Sequence, residues 1–264
     1  MKFTKMHGLG NDYLYVYGEV PGNAAELSKK LSERHLGAGS DGMIYISKSS
    51  IADFKMRIFN ADGSEAKMCG NGIRCVGKYV YDKGYTDKKF LSIETLSGVK
   101  YLTLQIVGGK VKTITVDMGQ AKAEKPINLT VDGETVSLIP VSVGNPHAVI
   151  FVDDIEKAPL TKLGPIIEHH EAFPDGVNVE FVEVLGADKL RMRVWERGSG
   201  VTMACGTGAC ASVMAAIAAK LFHYDETVSV LLDGGTLKIQ IAPDNTVQMT
   251  GPAETVYEGE TEIC

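Results

Sequence analysis

The sequence predicts an α+β fold of two pseudo-symmetric halves, each a barrel-like, mostly antiparallel sheet wrapped around a central helix. Three observations predict it. The tetrapeptide Cys-Gly-X-Gly occurs twice, as Cys69-Gly70-Asn71-Gly72 and Cys205-Gly206-Thr207-Gly208, and sliding the chain by 136 positions, the separation of the two cysteines, also lays Arg57-Ile58-Phe59 on Arg193-Val194-Trp195. A second register of 134 positions lays Gly10-Asn11 on Gly144-Asn145 and Asp41-Gly42 on Asp175-Gly176, so the halves differ by a small loop change. Finally, Ala209 to Leu221 is apolar on nearly every helical face until Lys220. A helix apolar all round must be buried, and its small residues suit the inside of a curled sheet.

The elements follow in chain order. The β-rich runs Tyr13 to Tyr17, Met43 to Ile46, Lys55 to Phe59, Tyr101 to Val107, Lys110 to Val116, Val149 to Val152, Val179 to Val184 and Leu190 to Trp195 read as strands. Turn signals such as Gly108-Gly109, Asp132-Gly133 and Asp233-Gly234-Gly235 separate them. Helical patterning appears over Ala24 to Arg34, after each Cys-Gly-X-Gly, and over Leu160 to His169. The expected domains are residues 1–117, completed by a return of 252–264, and residues 118–251, with the boundary near Asp117 to Ala123.

At 264 residues the chain is long enough to bury a substantial core as one large domain or two of roughly 130 residues, and the repeat favours two. Its 27 Lys and Arg against 33 Asp and Glu give a net charge of -6 without a basic cluster, which argues against a nucleic-acid partner and for a small-molecule one. No run has signal-peptide or transmembrane character, so the expected location is cytoplasmic, away from membranes. Five cysteines at 69, 75, 205, 210 and 264 form no disulfide framework, and a reducing cytosol holds them as thiols.

Glycines directly after a cysteine let the backbone turn sharply into a helix whose first amides have no intrahelical acceptor. Such a helix start attracts an anion and favours thiolate at the neighbouring cysteine. Two of them allow a pair of cysteines to approach one substrate carbon from opposite sides, as inversion of a stereocentre requires. Read singly, each cysteine is equally a small buried core residue; the pairing favours the reactive reading. Zinc is disfavoured, because Cys69 to Cys75 and Cys205 to Cys210 lack the tight two-residue knuckle spacing. Cys75 and Cys210 fall inside the helices as core thiols, and Cys264 is expected to be an exposed terminal residue.

With these residues in hand, the chain resembles the diaminopimelate epimerases nearly end to end. The resemblance rests on Lys5-Met6-His7-Gly8-Leu9-Gly10-Asn11-Asp12-Tyr13, Phe59-Asn60-Ala61-Asp62-Gly63-Ser64, Met68-Cys69-Gly70-Asn71-Gly72-Ile73-Arg74-Cys75, Gly144-Asn145-Pro146-His147, and Trp195-Glu196-Arg197-Gly198 continuing through Ala204-Cys205-Gly206-Thr207-Gly208. It implies the diaminopimelate epimerase-like fold, with the active site in the cleft between the halves. It also implies interconversion of L,L- and meso-diaminopimelate without cofactor or metal, in lysine and peptidoglycan precursor synthesis, by an enzyme that is a homodimer in many members. By the same resemblance Cys69 and Cys205 are the thiolate base and thiol acid, exchanging roles with direction. The amides of Gly70, Asn71, Gly206 and Thr207 would hold the reacting carboxylate. Asn60 and Glu196 would face the α-ammonium, while Asn11, Asn145, Asn178 and Arg197 would read the distal end. His147 and Glu196 would tune thiol ionisation.

The asparagines also read as ordinary turn residues, and His7, His35, His169, His170 and His223 sit in no motif. Gly42 departs from members with glutamine there and puts one distal contact in doubt. The alternative within the fold is a racemase of another amino acid, histidine or proline; Asn71 stands where proline enzymes usually place histidine. Further off are the phenazine-pathway isomerases, which lack the two thiols, and a non-catalytic binding or redox-sensing protein.

Overall fold

The computed structural model describes residues 1–263, so Cys264 lies outside the described residues. The chain divides into two compact units, one formed by Met1–Val116 and the chain from Gly251 onward, the other by Asp117–Thr250.

In the first unit, strand Lys2–Gly8 turns through Leu9 and Gly10 into its antiparallel partner Asn11–Tyr17. Both turn residues have positive φ, 58° and 87°, which glycine adopts freely and leucine only when its surroundings hold it. Helix α1 (Ala24–Ser32) then carries the chain across, so that Gly42–Ser47 lies parallel to Asn11–Tyr17. Phe54–Asn60 pairs antiparallel with Gly42–Ser47 and leads through the short strand Glu65–Ala66 into helix α2 (Gly70–Asp82). Phe90–Thr95 returns parallel to Phe54–Asn60, and Gly98–Val107 and Lys110–Gln120 follow as a meander. The late strand Glu254–Glu260 closes this unit on Lys2–Gly8.

Sheet curvature places α2 inside. A Cβ added at Gly72 would lie 2.7 Å from Ile44 and 3.2 Å from Met56, and one at Gly77 would lie 2.9 Å from Leu102 and 3.1 Å from Leu104. Three strands thus press on the helix to within a methyl group, which explains glycine on an otherwise apolar helix face.

The second unit repeats the plan. Glu134–Ser142 and Pro146–Phe151 form the opening antiparallel pair, and helix α3 (Leu160–Glu168) crosses to Asn178–Gly186, parallel to Pro146–Phe151. Lys189–Glu196 and the short Gly200–Val201 lead into helix α4 (Gly206–Ala218), after which Thr227–Leu232, Gly235–Ile241 and Thr246–Gly251 complete the sheet. Helices α2 and α4 begin and end 136 positions apart, the spacing of the cysteines before them. Every residue of α4 from Gly208 to Ile217 is buried, as its all-round apolar character requires. Each unit is therefore a mostly antiparallel sheet curled on a central helix, with two parallel pairings where a helix makes the crossing.

Among the described residues no helix is long and apolar enough to cross a membrane.

Candidate active site

Each Cys-Gly-X-Gly forms the start of its central helix, with the cysteine as N-cap. Cys69 Sγ accepts from the Gly72 amide, and Cys205 Sγ from the Gly208 amide, both at 3.3 Å. A sulfur here does what a serine or aspartate oxygen does at an ordinary cap, and it places the thiol beside the outward-facing amides of the first turn.

Around Cys69, the thiol donates to Asn11 Oδ1 at 3.2 Å, and Asn11 Nδ2 donates to Asp41 Oδ2 at 2.9 Å. Because a carboxylate only accepts, Asp41 fixes the sense of the Asn11 amide and turns its oxygen to the sulfur. Asp41 also accepts from Arg34, which bridges to Asp12, and Asp12 pairs with Lys5 at 2.8 Å. Asn60 Nδ2 donates to Ser64 Oγ at 3.0 Å. Asn71 is buried, its Oδ1 receiving Arg74 Nη2 at 2.9 Å.

Around Cys205 the groups are more acidic. His147 Nδ1 lies 2.7 Å from Glu180 Oε1 and His147 Nε2 lies 3.1 Å from Asn145 Oδ1. Asn145 Nδ2 donates to Thr207 Oγ1 at 3.3 Å, and Thr207 Oγ1 stands 3.5 Å from Cys205 Sγ. Glu196 accepts from the Thr202 hydroxyl and from the Cys205 thiol. Asn178 spends its side chain locally, donating to Pro146 O and accepting from the Arg197 amide, both at 3.0 Å. It thereby fixes the turn that carries Arg197, whose Nη1 donates to Asp175 O at 2.7 Å.

The two surroundings are equivalent by position and unlike in charge. At the 136-residue spacing, Asn60 stands where Glu196 does, Ile44 where Glu180 does, and Arg74 where Cys210 does. Burial pushes the Cys205 thiol well above its ordinary range, and the nearby carboxylates of Glu196 and Glu180 push it further. Glu196 is itself raised by burial and by Glu180, against the hydrogen bonds from Thr202 and Cys205. Cys205 therefore keeps its proton at neutral pH.

Cys75 and Cys210 are fully buried inside their helices. Burial pushes the Cys75 thiol up to about 12 from 9.0. A thiol raised on folding contributes stability that is complete below the unfolded value and lost as pH climbs through the folded one. Urea midpoints are therefore expected to fall steadily between about pH 9 and pH 12, and the decline should be shallower in Cys75→Ala.

Two carboxylates at this site carry no motif and are not expected from sequence reading. Glu168 accepts from Trp195 Nε1 at 2.6 Å and from the Gly198 amide at 2.8 Å, bracketing the Glu196-Arg197 turn from both sides. Glu180 is fully buried behind His147. A glutamate on the inward face of the apolar strand Val177 to Val182 is the one signal that could have found it. Among the described residues no group of three or more His, Cys, Asp or Glu side chains is placed to hold a metal ion.

The family model described as diaminopimelate epimerase matches residues 3–124 and 139–256. Diaminopimelate epimerases of Acetivibrio thermocellus and Methanococcus maripaludis are each 50% identical to this chain and align with all of it, over 99% and 100% of their own lengths. That of Phocaeicola vulgatus is 51% identical, again over all of this chain and 99% of its own. Among solved structures, a phenazine biosynthesis protein of the PhzF family from Bacillus anthracis superposes with a TM-score of 0.80 over 100% of this chain and 99% of that one, at 17% identity. A hydroxyproline epimerase from Agrobacterium vitis, solved with bound trans-4-OH-L-proline, gives 0.74 over 99% and 90% at 16% identity. The structural likenesses show the shared fold, and the full-length sequence identities together with the family model show that this chain belongs to the diaminopimelate epimerase family.

Proposed function

We propose that the protein is an amino-acid epimerase that interconverts L,L- and meso-diaminopimelate by a two-base mechanism needing neither metal nor pyridoxal phosphate. The observation that carries the reading is the duplicated helix start with a thiol as N-cap, in a chain about half identical to diaminopimelate epimerases along its whole length. Cys69 and Cys205 act on opposite faces of one α-carbon, one removing the proton and the other returning it. Burial and the nearby carboxylates of Glu196 and Glu180 favour the protonated form of Cys205, the form that acts as the acid, and the two thiols exchange roles with the direction of reaction. A substrate ammonium beside Glu196 suits that carboxylate, and its arrival partly relieves the negative field on Cys205.

The amides of Gly70, Asn71, Gly206 and Thr207 receive the α-carboxylate and spread the charge that develops as the α-proton leaves. Asn60 and Glu196 face the α-ammonium. Asn11, Asn145, Asn178 and Arg197 read the distal ammonium and carboxylate, using the second lone pair or second N–H of each already anchored amide. Arg197 offers a planar fork to the distal carboxylate. Arg197→Lys is expected to raise KM for diaminopimelate roughly tenfold or more while leaving kcat within about twofold; steady-state kinetics at several substrate concentrations check this.

The enzyme works in the cytoplasm, where both thiols stay reduced, in lysine and peptidoglycan precursor synthesis, and as a homodimer, which equilibrium sedimentation tests. The direct test of function is proton NMR of reduced protein with L,L-diaminopimelate in deuterium oxide. Loss of the α-proton signal with appearance of the meso isomer is expected. Exchange of histidine or proline in place of diaminopimelate would replace the substrate while retaining the chemistry.

A further inference from the structure

Glu180 is costly to bury and does nothing evident for the fold. Its side chain is fully inaccessible, Oε1 meets His147, and Oε2 has no hydrogen-bond partner. An ionised carboxylate with an unsatisfied oxygen in the protein interior is strongly disfavoured unless something else requires it. The first unit shows that the architecture does not require it, since the equivalent position holds Ile44. Both side chains lie against the last glycine of the neighbouring Cys-Gly-X-Gly: a Cβ at Gly72 would be 2.7 Å from Ile44 Cδ1, and one at Gly208 would be 2.7 Å from Glu180 Oε1. An aliphatic side chain fills that space in one unit and a carboxylate in the other.

From Glu180 an unbroken file of hydrogen-bonding groups runs to the thiol. Glu180 Oε1 to His147 Nδ1 is 2.7 Å, His147 Nε2 to Asn145 Oδ1 is 3.1 Å, Asn145 Nδ2 to Thr207 Oγ1 is 3.3 Å, and Thr207 Oγ1 to Cys205 Sγ is 3.5 Å. Both ends accept only, once Cys205 has given up its proton. Each role between them is then set by the inventory of donors and acceptors. The thiolate receives the Thr207 hydroxyl, leaving Thr207 Oγ1 to accept from Asn145 Nδ2. Asn145 then presents Oδ1 to His147, which in its doubly protonated, imidazolium form donates from Nε2 on one side and from Nδ1 to Glu180 on the other. Asn11, the equivalent asparagine of the first unit, is held in the opposite sense, with its nitrogen toward Asp41 and its oxygen toward Cys69.

We propose that Glu180 is a positioning residue for Cys205. Through His147 and Asn145 it fixes the Thr207 hydroxyl as a donor to the sulfur, so that the thiolate left after proton delivery is received by Thr207 and the Gly208 amide. The carboxylates facing Cys205 directly, Glu196 and Glu180, oppose that thiolate, and the file offsets part of the opposition with the oriented Thr207 donor and with an imidazolium that balances the Glu180 charge. The proposal rests on the epimerase reading only for the use made of Cys205, and its test needs no substrate.

The test is a double-mutant cycle read by iodoacetamide alkylation of Cys205 at a fixed mildly alkaline pH in reduced full-length protein, quantified by peptide mass spectrometry with Cys69 as internal reference. Thr207→Val, which removes the last donor, is expected to slow Cys205 alkylation about threefold or more, and Thr207→Ser, which keeps the hydroxyl, to restore the wild-type rate. In the Glu180→Leu background, where His147 has lost its anchor, Thr207→Val should change the rate by less than about twofold. The direct effect of the Glu180 charge on Cys205 is common to both arms on the Glu180→Leu side and cancels in the cycle. An equal effect of Thr207→Val in both backgrounds would overturn the proposal, as would identical behaviour of the valine and serine variants. If Glu180→Leu does not fold, Asn145→Leu serves as the second background, with the same expected loss of coupling. Inert diaminopimelate with the coupling present would refute the substrate reading and leave the file standing; exchange of diaminopimelate without coupling would do the reverse.

Discussion

Cys69→Ala and Cys205→Ala are each expected to lower conversion of L,L- to meso-diaminopimelate by about two to four orders of magnitude, measured as meso product in the deuterium-exchange assay. Inversion needs a proton removed on one face and returned on the other, so neither thiol can stand in for its partner. The double variant is accordingly expected to be little slower than either single one, because two groups that act as a unit cannot be lost twice. Diaminopimelate binding by calorimetry should survive, since the groups proposed to hold the substrate are backbone amides, asparagines and Arg197. The fold should survive as well. Each sulfur caps its helix by accepting one amide at 3.3 Å, and loss of a cap acceptor costs about 1 kcal/mol. A Cys205→Ala protein that melts near wild type, binds diaminopimelate and still epimerises it would refute the two-thiol mechanism.

Arg74→Ala should produce the largest loss of stability from a single side chain in the first unit. Among the described residues Arg74 is the largest fully buried side chain. Its Nε donates to Pro252 O at 3.0 Å, its Nη1 to Gly70 O at 3.1 Å and its Nη2 to Asn71 Oδ1 at 2.9 Å. One guanidinium thus ties the start of α2 to the segment that returns at the end of the chain. Truncation leaves one buried and two half-buried acceptors without these donors and a cavity the size of the side chain, for a loss of roughly 3–5 kcal/mol. Urea unfolding followed by circular dichroism checks the figure. Arg74→Lys should recover only part of it, because a single ammonium cannot reproduce the fork that reaches all three acceptors. A midpoint unchanged in Arg74→Ala would mean that these hydrogen bonds exchange freely with water.

Much of the site is written locally and is legible for that reason. A cysteine followed by Gly-X-Gly specifies a sharp turn into a helix start, and the same pattern twice at one spacing specifies a repeated unit; both depend on neighbouring residues alone. The apolar periphery of α4 likewise announces its burial without reference to any partner. Strands with strong β-branched or aromatic runs, such as Lys55 to Phe59 and Leu190 to Trp195, lie inside observed strands. Strands outside those runs include Lys2–Gly8 and Thr246–Gly251, whose sequences mix lysine, threonine or glycine with few aliphatic residues. Glu254–Glu260 is largely exposed and is a strand because Lys2–Gly8 offers it an open edge, a reason that lies about 250 positions away. The helical patterning over Ala24 to Arg34 and Leu160 to His169 runs two residues and one residue past the observed helices, which stop at Ser32 and Glu168 where the chain turns.

The duplication, the two thiols at helix starts, the apolar central helix and the family are all legible in the order of residues. Each of these is carried by residue types at short or fixed spacings, where backbone geometry and solvation act on the residues directly. Only the tertiary structure decided which way each side-chain amide points and which carboxylates stand behind it. Asn11 and Asn145 are the same residue at equivalent positions, yet Asp41 holds one with its oxygen to the sulfur while His147 and Glu180 hold the other with its nitrogen toward Thr207. The charge at Cys205 was decided in the same way. Glu180 and Glu196 reach it from two different strands, and their effect depends on removing water from between them, which happens only once the sheet has closed around the helix.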